Sequence, residues 1–248
     1  NMFSKLKLAS SEEKKHKIIA HRGMSGKYPE NTILAFEAAR LLGFRWIETD
    51  INMLGDETLV VFHDKSFGRT VSGNCLTKNV SWKDFKDLDA GLWKGEGFAG
   101  QKVMRLGELI TWAETNNMML ILEMKIYDSR KRRAAEVLTS ALRNCKKANI
   151  IISSFDIDFL RHFKRFCKNI PIASIHTSLP ENIDSLITEL DIEAVHLDHH
   201  LLRKSTDVLS FRAKGIKVRA WTANDPFIVE QLFALGVDMV MSDYPELI

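Results

Sequence analysis

Short apolar runs alternate with amphipathic stretches along most of the chain. Runs that read as strands lie at 17–20, 46–51, 118–124, 150–153, 172–175, 194–197, 218–221 and 239–241. Most are rich in β-branched or large apolar residues and are bounded by polar or turn residues. Between most of them the apolar positions recur at helical spacing, near 31–42, 106–114, 130–145, 157–167, 183–190, 205–214 and 226–235. The first of these stretches is the clearest. Pro29 precedes it, Asn31 or Thr32 can cap it, and Gly43 stops it. Repeated strand–helix units imply parallel strands and right-handed crossovers. Eight of them predict an α/β fold, a closed (β/α)8 TIM barrel. The rival is an open doubly wound sheet. The barrel is preferred because the polar residues of interest end several different strands. No glycine-rich GxGxxG loop follows the first strand, where Gly23 and Gly26 are too sparse.

One apolar run breaks the alternation. Residues 58–62 follow the second strand across only Gly55-Asp56-Glu57, which makes a hairpin and an extra antiparallel strand. A turn centred between Gly55 and Asp56 would set His63 opposite Glu48, and one centred a residue later would set it opposite Asp50. The longest irregular stretch, about 65–104, has six glycines and a short helical piece near 82–88. An insertion of that length is expected to cover the barrel mouth. The expected organisation is a single barrel domain over 1–248 with this insertion after the hairpin.

Composition narrows the partners. The 35 basic and 32 acidic residues leave a net charge of +3, which does not demand a nucleic-acid partner. Local basic runs at Lys14, Lys15 and Lys17 and from Arg130 to Arg133 read as solvated faces. Three cysteines, Cys75, Cys145 and Cys167, are odd in number and without metal-like spacing, which suits reduced thiols and a cytoplasmic location. No apolar run approaches the roughly 18 residues of a membrane span. The first 17 residues lack the apolar stretch of a signal peptide, although a removed leader stays open. Oligomeric state is not legible.

The chemistry gathers at strand ends. Alternation along a strand puts Glu48 and Asp50 on one face and Ile47, Thr49 and Ile51 on the other. In the third strand Met119, Ile121, Glu123 and Lys125 share a face. Three carboxylates without cysteine suit one hard divalent cation, Mg2+ or Ca2+. The plainer alternative is an ion-pair network with Arg22 and Lys125. His21 ends the first strand and His63 ends the hairpin, so one can serve as base and the other as acid. Arg22 offers a planar fork for phosphate oxygens and Lys125 a point charge. Three carboxylates and a divalent cation leave −1, the two side-chain cations raise this to +1, and a phosphodiester carries −1. Trp221 ends the seventh strand and can pack on a substrate or in the core. His196, Asp198, His199 and His200 lack a settled metal spacing and read as structure or solvation. Ser154 and Asp243 read as helix caps.

The runs Ala20-His21-Arg22-Gly23, Pro29-Glu30-Asn31-Thr32, Glu48-Thr49-Asp50, His63-Asp64, Glu123-Met124-Lys125, Ser153-Ser154-Phe155, Trp221-Thr222-Ala223-Asn224 and Ser242-Asp243-Tyr244-Pro245 together resemble the glycerophosphodiester phosphodiesterase family. They occur in the family's order along nearly the whole chain. One departure is Met53-Leu54-Gly55-Asp56, where the family usually has Thr-Lys-Asp-Gly. The resemblance implies a TIM barrel and hydrolysis of glycerophosphodiesters, a small-molecule substrate, to sn-glycerol 3-phosphate and an alcohol. It implies Glu48, Asp50 and Glu123 as ligands of one divalent cation, and His21 and His63 as acid and base. Arg22 and Lys125 would hold the phosphate, Trp221 would pack on the substrate, and the insertion would shape its entrance. His21 is favoured as base and His63 as acid.

Two alternatives stay open. A lysophospholipase D or sphingomyelinase D type of phosphodiesterase would share the barrel and much of the site. Its secreted members carry disulfides near the mouth, whereas Cys75 is the only cysteine in this insertion. A barrel that only binds phosphorylated ligands would be expected to lack one of these groups.

Overall fold

A computed structural model of the chain describes residues 12–145 and 149–248. Most of the amino-terminal stretch in which no leader was read lies outside these residues. The parallel strands are β1 (Ile18–His21), β2 (Trp46–Met53), β4 (Met119–Met124), β5 (Asn149–Ser154), β6 (Ile172–His176), β7 (Ala194–Asp198), β8 (Lys217–Trp221) and β9 (Met239–Ser242). They run in order from β1 through β9, β8, β7, β6, β5 and β4 to β2, and β2 pairs back onto β1. That pairing closes the sheet into the TIM barrel and rules out the open alternative. All eight expected strands are present, shifted by at most a residue or two at their ends.

The hairpin strand β3 (Leu59–Val61) runs antiparallel to β2, pairing Ile51 with Val61 and Met53 with Leu59. Its register falls between the two that were expected. Leu54 N donates to Thr58 O at 2.9 Å, and Glu57 takes φ +67°. A three-residue hairpin loop uses such a left-handed residue. The ladder ends at Val61, so His63 faces neither acid across a strand pair. Phe62 N instead donates to Asp50 O at 3.0 Å, which carries the chain back over the barrel mouth.

Outside the barrel pack α1 (Ile33–Leu41), α3 (Leu106–Thr115), α4 (Lys131–Leu142), α5 (Ile157–Phe166), α6 (Ile183–Leu190), α7 (Ser205–Arg212) and α8 (Pro226–Leu235). A shorter α2 (Trp82–Phe85) lies within the 65–104 stretch. Strand alternation separates two cores. Ile47, Leu120, Leu122, Ile150 and Ile152 face the helices, while Ile19, Ile121, Ile151, Ala173, Ala194 and Met241 fill the barrel interior. Each fully buried Ile or Leu contributes about 1.5–3 kcal/mol. The interior group forms an apolar layer beneath the polar strand ends. A third cluster, including Leu54, Phe62, Phe85 and Val103, packs the 65–104 stretch onto the hairpin.

Candidate active site

Each acid reaches the mouth because its strand alternates inward. Glu48 and Asp50 on β2 and Glu123 on β4 are 3%, 0% and 8% exposed, and register pairs Asp50 with Glu123. One oxygen from each of the three lies within 4.8 Å of the others. Lys125 Nζ sits 2.5 Å from Glu123 Oε1 and 3.4 Å from Asp50 Oδ1. Arg22 Nε lies 3.1 Å from Asp50 Oδ2 as an ion pair off the line of a hydrogen bond, and its Nη1 donates to Glu30 at 3.0 Å. The predicted acids and cations therefore meet.

Three buried carboxylates against two cations leave one negative charge over. Burial, aided by the neighbouring Asp50, pushes the Glu48 carboxyl up to about 8. Burial likewise raises Glu123, although Lys125 opposes it. Asp50 moves the other way, because Arg22 and Lys125 outweigh its burial and hold it ionised. Glu48 Oε2 and Asp50 Oδ1 are buried with no hydrogen-bond partner among the described residues. Carboxylate oxygens so placed are costly unless something else engages them. A hard cation fits this donor set.

Both histidines are held by a carboxylate on Nδ1. His21 Nδ1 is 2.6 Å from Asp243 Oδ1, and its Nε2 is 3.7 Å from Glu48 Oε2. His63 Nδ1 is 2.6 Å from Asp64 Oδ1. An ionised carboxylate only accepts, so each Nδ1 carries the hydrogen and each Nε2 is left for other work. Burial disfavours the charged form of His21, but Glu48 and Asp243 outweigh it and raise its pKa. Burial, opposed by Asp50 and reinforced by Arg22, lowers that of His63.

Several of these partners escaped the sequence reading. From the sequence, Asp243 is expected to cap a helix. It instead accepts from His21, from Ser25 Oγ at 2.9 Å and from Asn224 Nδ2 at 3.0 Å. Asn31 does not cap α1, since Thr32 accepts from Ala35 N in that role. Asn31 takes φ +58° and turns its amide to Asp50 Oδ2 at 2.9 Å, while accepting from Thr49 Oγ1 at 2.7 Å. Arg22 is also left-handed, at φ +57°. Such conformations in non-glycine residues cluster at working sites. Arg69, from the 65–104 stretch, donates to Asp64 and Glu30 at 2.7–3.0 Å. Asp243 and Asn31 stand inside motif runs, which was the available signal. Arg69 stands in none.

His21, Arg22, Glu48, His63, Glu123, Lys125 and Trp221 line one cavity of about 240 Å³. A larger cavity of about 900 Å³ opens at the opposite end of the barrel and contains none of them. Trp221 meets Phe155 edge-on, with ring centroids 5.9 Å apart. His196 parts from its sequence neighbours, because it is 1% exposed inside the barrel and lines the cavity. Asp198, His199 and His200 lie outside, where Asp198 caps a short turn by accepting from His200 N. Their ligand atoms also cluster within 4.8 Å, but His200 is exposed and its Nδ1 is spent on Asp198 at 2.7 Å.

The fold and this mouth define a TIM-barrel protein with an acidic, histidine-flanked centre suited to a cation and an anionic ester. The comparisons make the class specific. The glycerophosphoryl diester phosphodiesterase family model matches residues 21–247. A glycerophosphodiester phosphodiesterase of Caldanaerobacter subterraneus is 30% identical over 231 residues, covering 92% of this chain and 94% of its own. An Oleispira antarctica phosphodiesterase solved with the product sn-glycerol-3-phosphate has a TM-score of 0.89 at 30% identity, covering 93% of this chain and 94% of its own. A lysophospholipase D of Mus musculus is 26% identical over 265 residues, covering 92% of this chain and 83% of its own. The chain belongs to the glycerophosphoryl diester phosphodiesterase family.

Proposed function

We propose that this protein hydrolyses glycerophosphodiesters to sn-glycerol 3-phosphate and an alcohol. The observation that carries the reading is the convergence of three clustered buried acids, two carboxylate-held histidines and two cations at one barrel mouth, where all but Asp50 line a single cavity. Membership of the family supports it, as does likeness to a phosphodiesterase solved with that product.

Glu48, Asp50 and Glu123 would hold one divalent cation, Mg2+ or Ca2+, whose bound charge lowers the energy of the developing phosphoryl negative charge. Arg22 has donors beyond those spent on Glu30 and Asp50, and turns them to the phosphate oxygens. Lys125 adds a point charge to the same wall. His21 takes a proton at Nε2 from the attacking oxygen, and Asp243 stabilises the imidazolium that results. His63 gives a proton to the departing alcohol. It suits that task by position, since its side chain is 27% exposed against 17% for His21, nearer the way out. Each proton transfer contributes typically about 10²–10⁴-fold. Trp221 packs on the bound substrate, the chain acts as one barrel domain, and the 65–104 stretch shapes its entrance. Three unpaired cysteines favour a reducing, cytoplasmic location, which cell fractionation would check.

The test is turnover of glycerophosphocholine with added Mg2+ or Ca2+ and then with EDTA. Hydrolysis that EDTA abolishes is expected. No turnover with either ion, or full turnover in EDTA, would overturn the reading.

A second reading, lysophospholipid hydrolysis, is favoured by the exposed Leu92, Trp93 and Phe155. A matched assay of glycerophosphocholine against lysophosphatidylcholine decides between them, and the first substrate is expected to win. No helix among the described residues is long and apolar enough to cross a membrane.

A further inference from the structure

The cavity has two unlike sides. The acids stand on β2 and β4, and the cations directly follow β1 and β4. The rest of the lining includes Ser153, Phe155, Ile175, His196, Trp221 and Met241, none of them charged side chains. Within this neutral side three polar groups stand out. Ser153 is 0% exposed, and its Oγ has no hydrogen-bond partner among the described residues. Trp221 Nε1 is buried and equally without a partner there. His196 Nε2 lies 3.1 Å from Nη1 of Arg219, which is itself buried and ion-paired to Glu193 at 2.6 Å.

That last contact settles a tautomer. A guanidinium only donates, so His196 Nε2 must accept and Nδ1 must carry the hydrogen. Burial and the adjacent Arg219 both disfavour a second proton. His196 is therefore a neutral N–H donor in the cavity lining. Ser153 can both donate and accept. An unpartnered hydroxyl at full burial is costly, and a ligand hydroxyl would relieve that cost. A neutral wall of fixed donors and one hydroxyl suits an uncharged polyol. It offers no carboxylate to a cationic head group.

We propose that Ser153 and His196 read the terminal hydroxyl of the substrate's glycerol moiety. This rests on the glycerophosphodiester reading and names the side chains that select the retained half. With the phosphate on the charged side, the glycerol lies along the β5–β8 wall and the departing alcohol points to the mouth. The same terminal hydroxyl is the one acylated in 1-acyl lysophospholipids, so this wall selects against them.

The experiment compares kcat/KM for glycerophosphocholine and for 2-hydroxypropyl phosphocholine. The analogue keeps the phosphodiester, the choline and the hydroxyl nearer the phosphate, and lacks only the terminal one. A wild-type preference of about a hundredfold or more for glycerophosphocholine is expected, because a site built to bond a hydroxyl rejects the analogue that lacks it. Ser153→Ala should shrink that preference about tenfold, by losing more on glycerophosphocholine than on the analogue. His196→Ala should do the same. Ser153→Ala leaves the Glu193–Arg219 pair in place, so the inference stays refutable if the His196 variant does not fold. Equal wild-type kcat/KM for the two substrates, or equal losses on both in Ser153→Ala, overturns the role of this wall and leaves the phosphodiesterase reading standing. Turnover of neither substrate with Mg2+ or Ca2+ overturns that reading and this inference with it.

Discussion

Asp243 Oδ1 sits 2.6 Å from His21 Nδ1, across 222 residues of chain. β1 and β9 are adjacent parallel strands, with Ala20 in register with Ser242. Residues that follow these two positions emerge side by side at the mouth. Ser25 and Asn224 hold the carboxylate from two other directions. The histidine thus has a fixed tautomer and a fixed ring plane.

Asp243→Asn should separate charge from shape, because the amide keeps the shape and loses the charge that favours the imidazolium. A loss of about 10²-fold or more in kcat is expected, with KM nearly unchanged. Steady-state kinetics beside a thermal melt would check it. A kcat within threefold of wild type would remove Asp243 from the proton-handling pair.

The two histidines should respond differently to the leaving group. His21→Ala and His63→Ala are each expected to lose at least about a hundredfold on glycerophosphocholine. A p-nitrophenyl ester departs without help from an acid. Loss of the acid, assigned to His63, should therefore be largely masked on such a substrate, while loss of the base should not. If the His21 variant is the one rescued, the two roles are exchanged.

Metal affinity should climb with pH. With Glu48 pushed up to about 8, the group carries a proton at neutral pH that an entering cation must displace. Below about pH 8 binding then releases that proton, and affinity rises by up to about tenfold per pH unit before levelling. Calorimetric titration of Mg2+ or Ca2+ between pH 6 and 9, in buffers of different ionisation enthalpy, measures both effects. A flat profile without proton release would show that Glu48 is already ionised. Glu123→Gln should weaken the same binding, and an unchanged affinity would take Glu123 out of the ligand set.

Arg69 ties the 65–104 stretch to the centre through Asp64 and Glu30. Arg69→Gln is expected to cost only about 1 kcal/mol of stability, because the side chain is half exposed. Its effect on kcat/KM should be larger, about tenfold, since Asp64 would lose the group that aims it at His63. Kinetics beside denaturant unfolding would tell the two apart. An activity loss no greater than the stability loss predicts would reduce Arg69 to a surface clasp.

Much of this protein is determined by local pattern alone. A period of two along β2 and β4 put Glu48, Asp50, Glu123 and Lys125 on inward faces, and helical spacing placed α1 and α8 within two residues of their starts. Such signals survive in one dimension because strand and helix periodicities act over a few neighbours. The hairpin register took neither expected value, because the left-handed turn at Glu57 that sets it is a backbone choice that the residue types do not announce. The partners of the histidines, the turning of Asn31 into the site and the chain from Glu193 through Arg219 to His196 were decided only when the barrel closed. These contacts join residues far apart in the chain, and the charge and hydrogen-bonding capacity that select them act through space and leave no periodic trace.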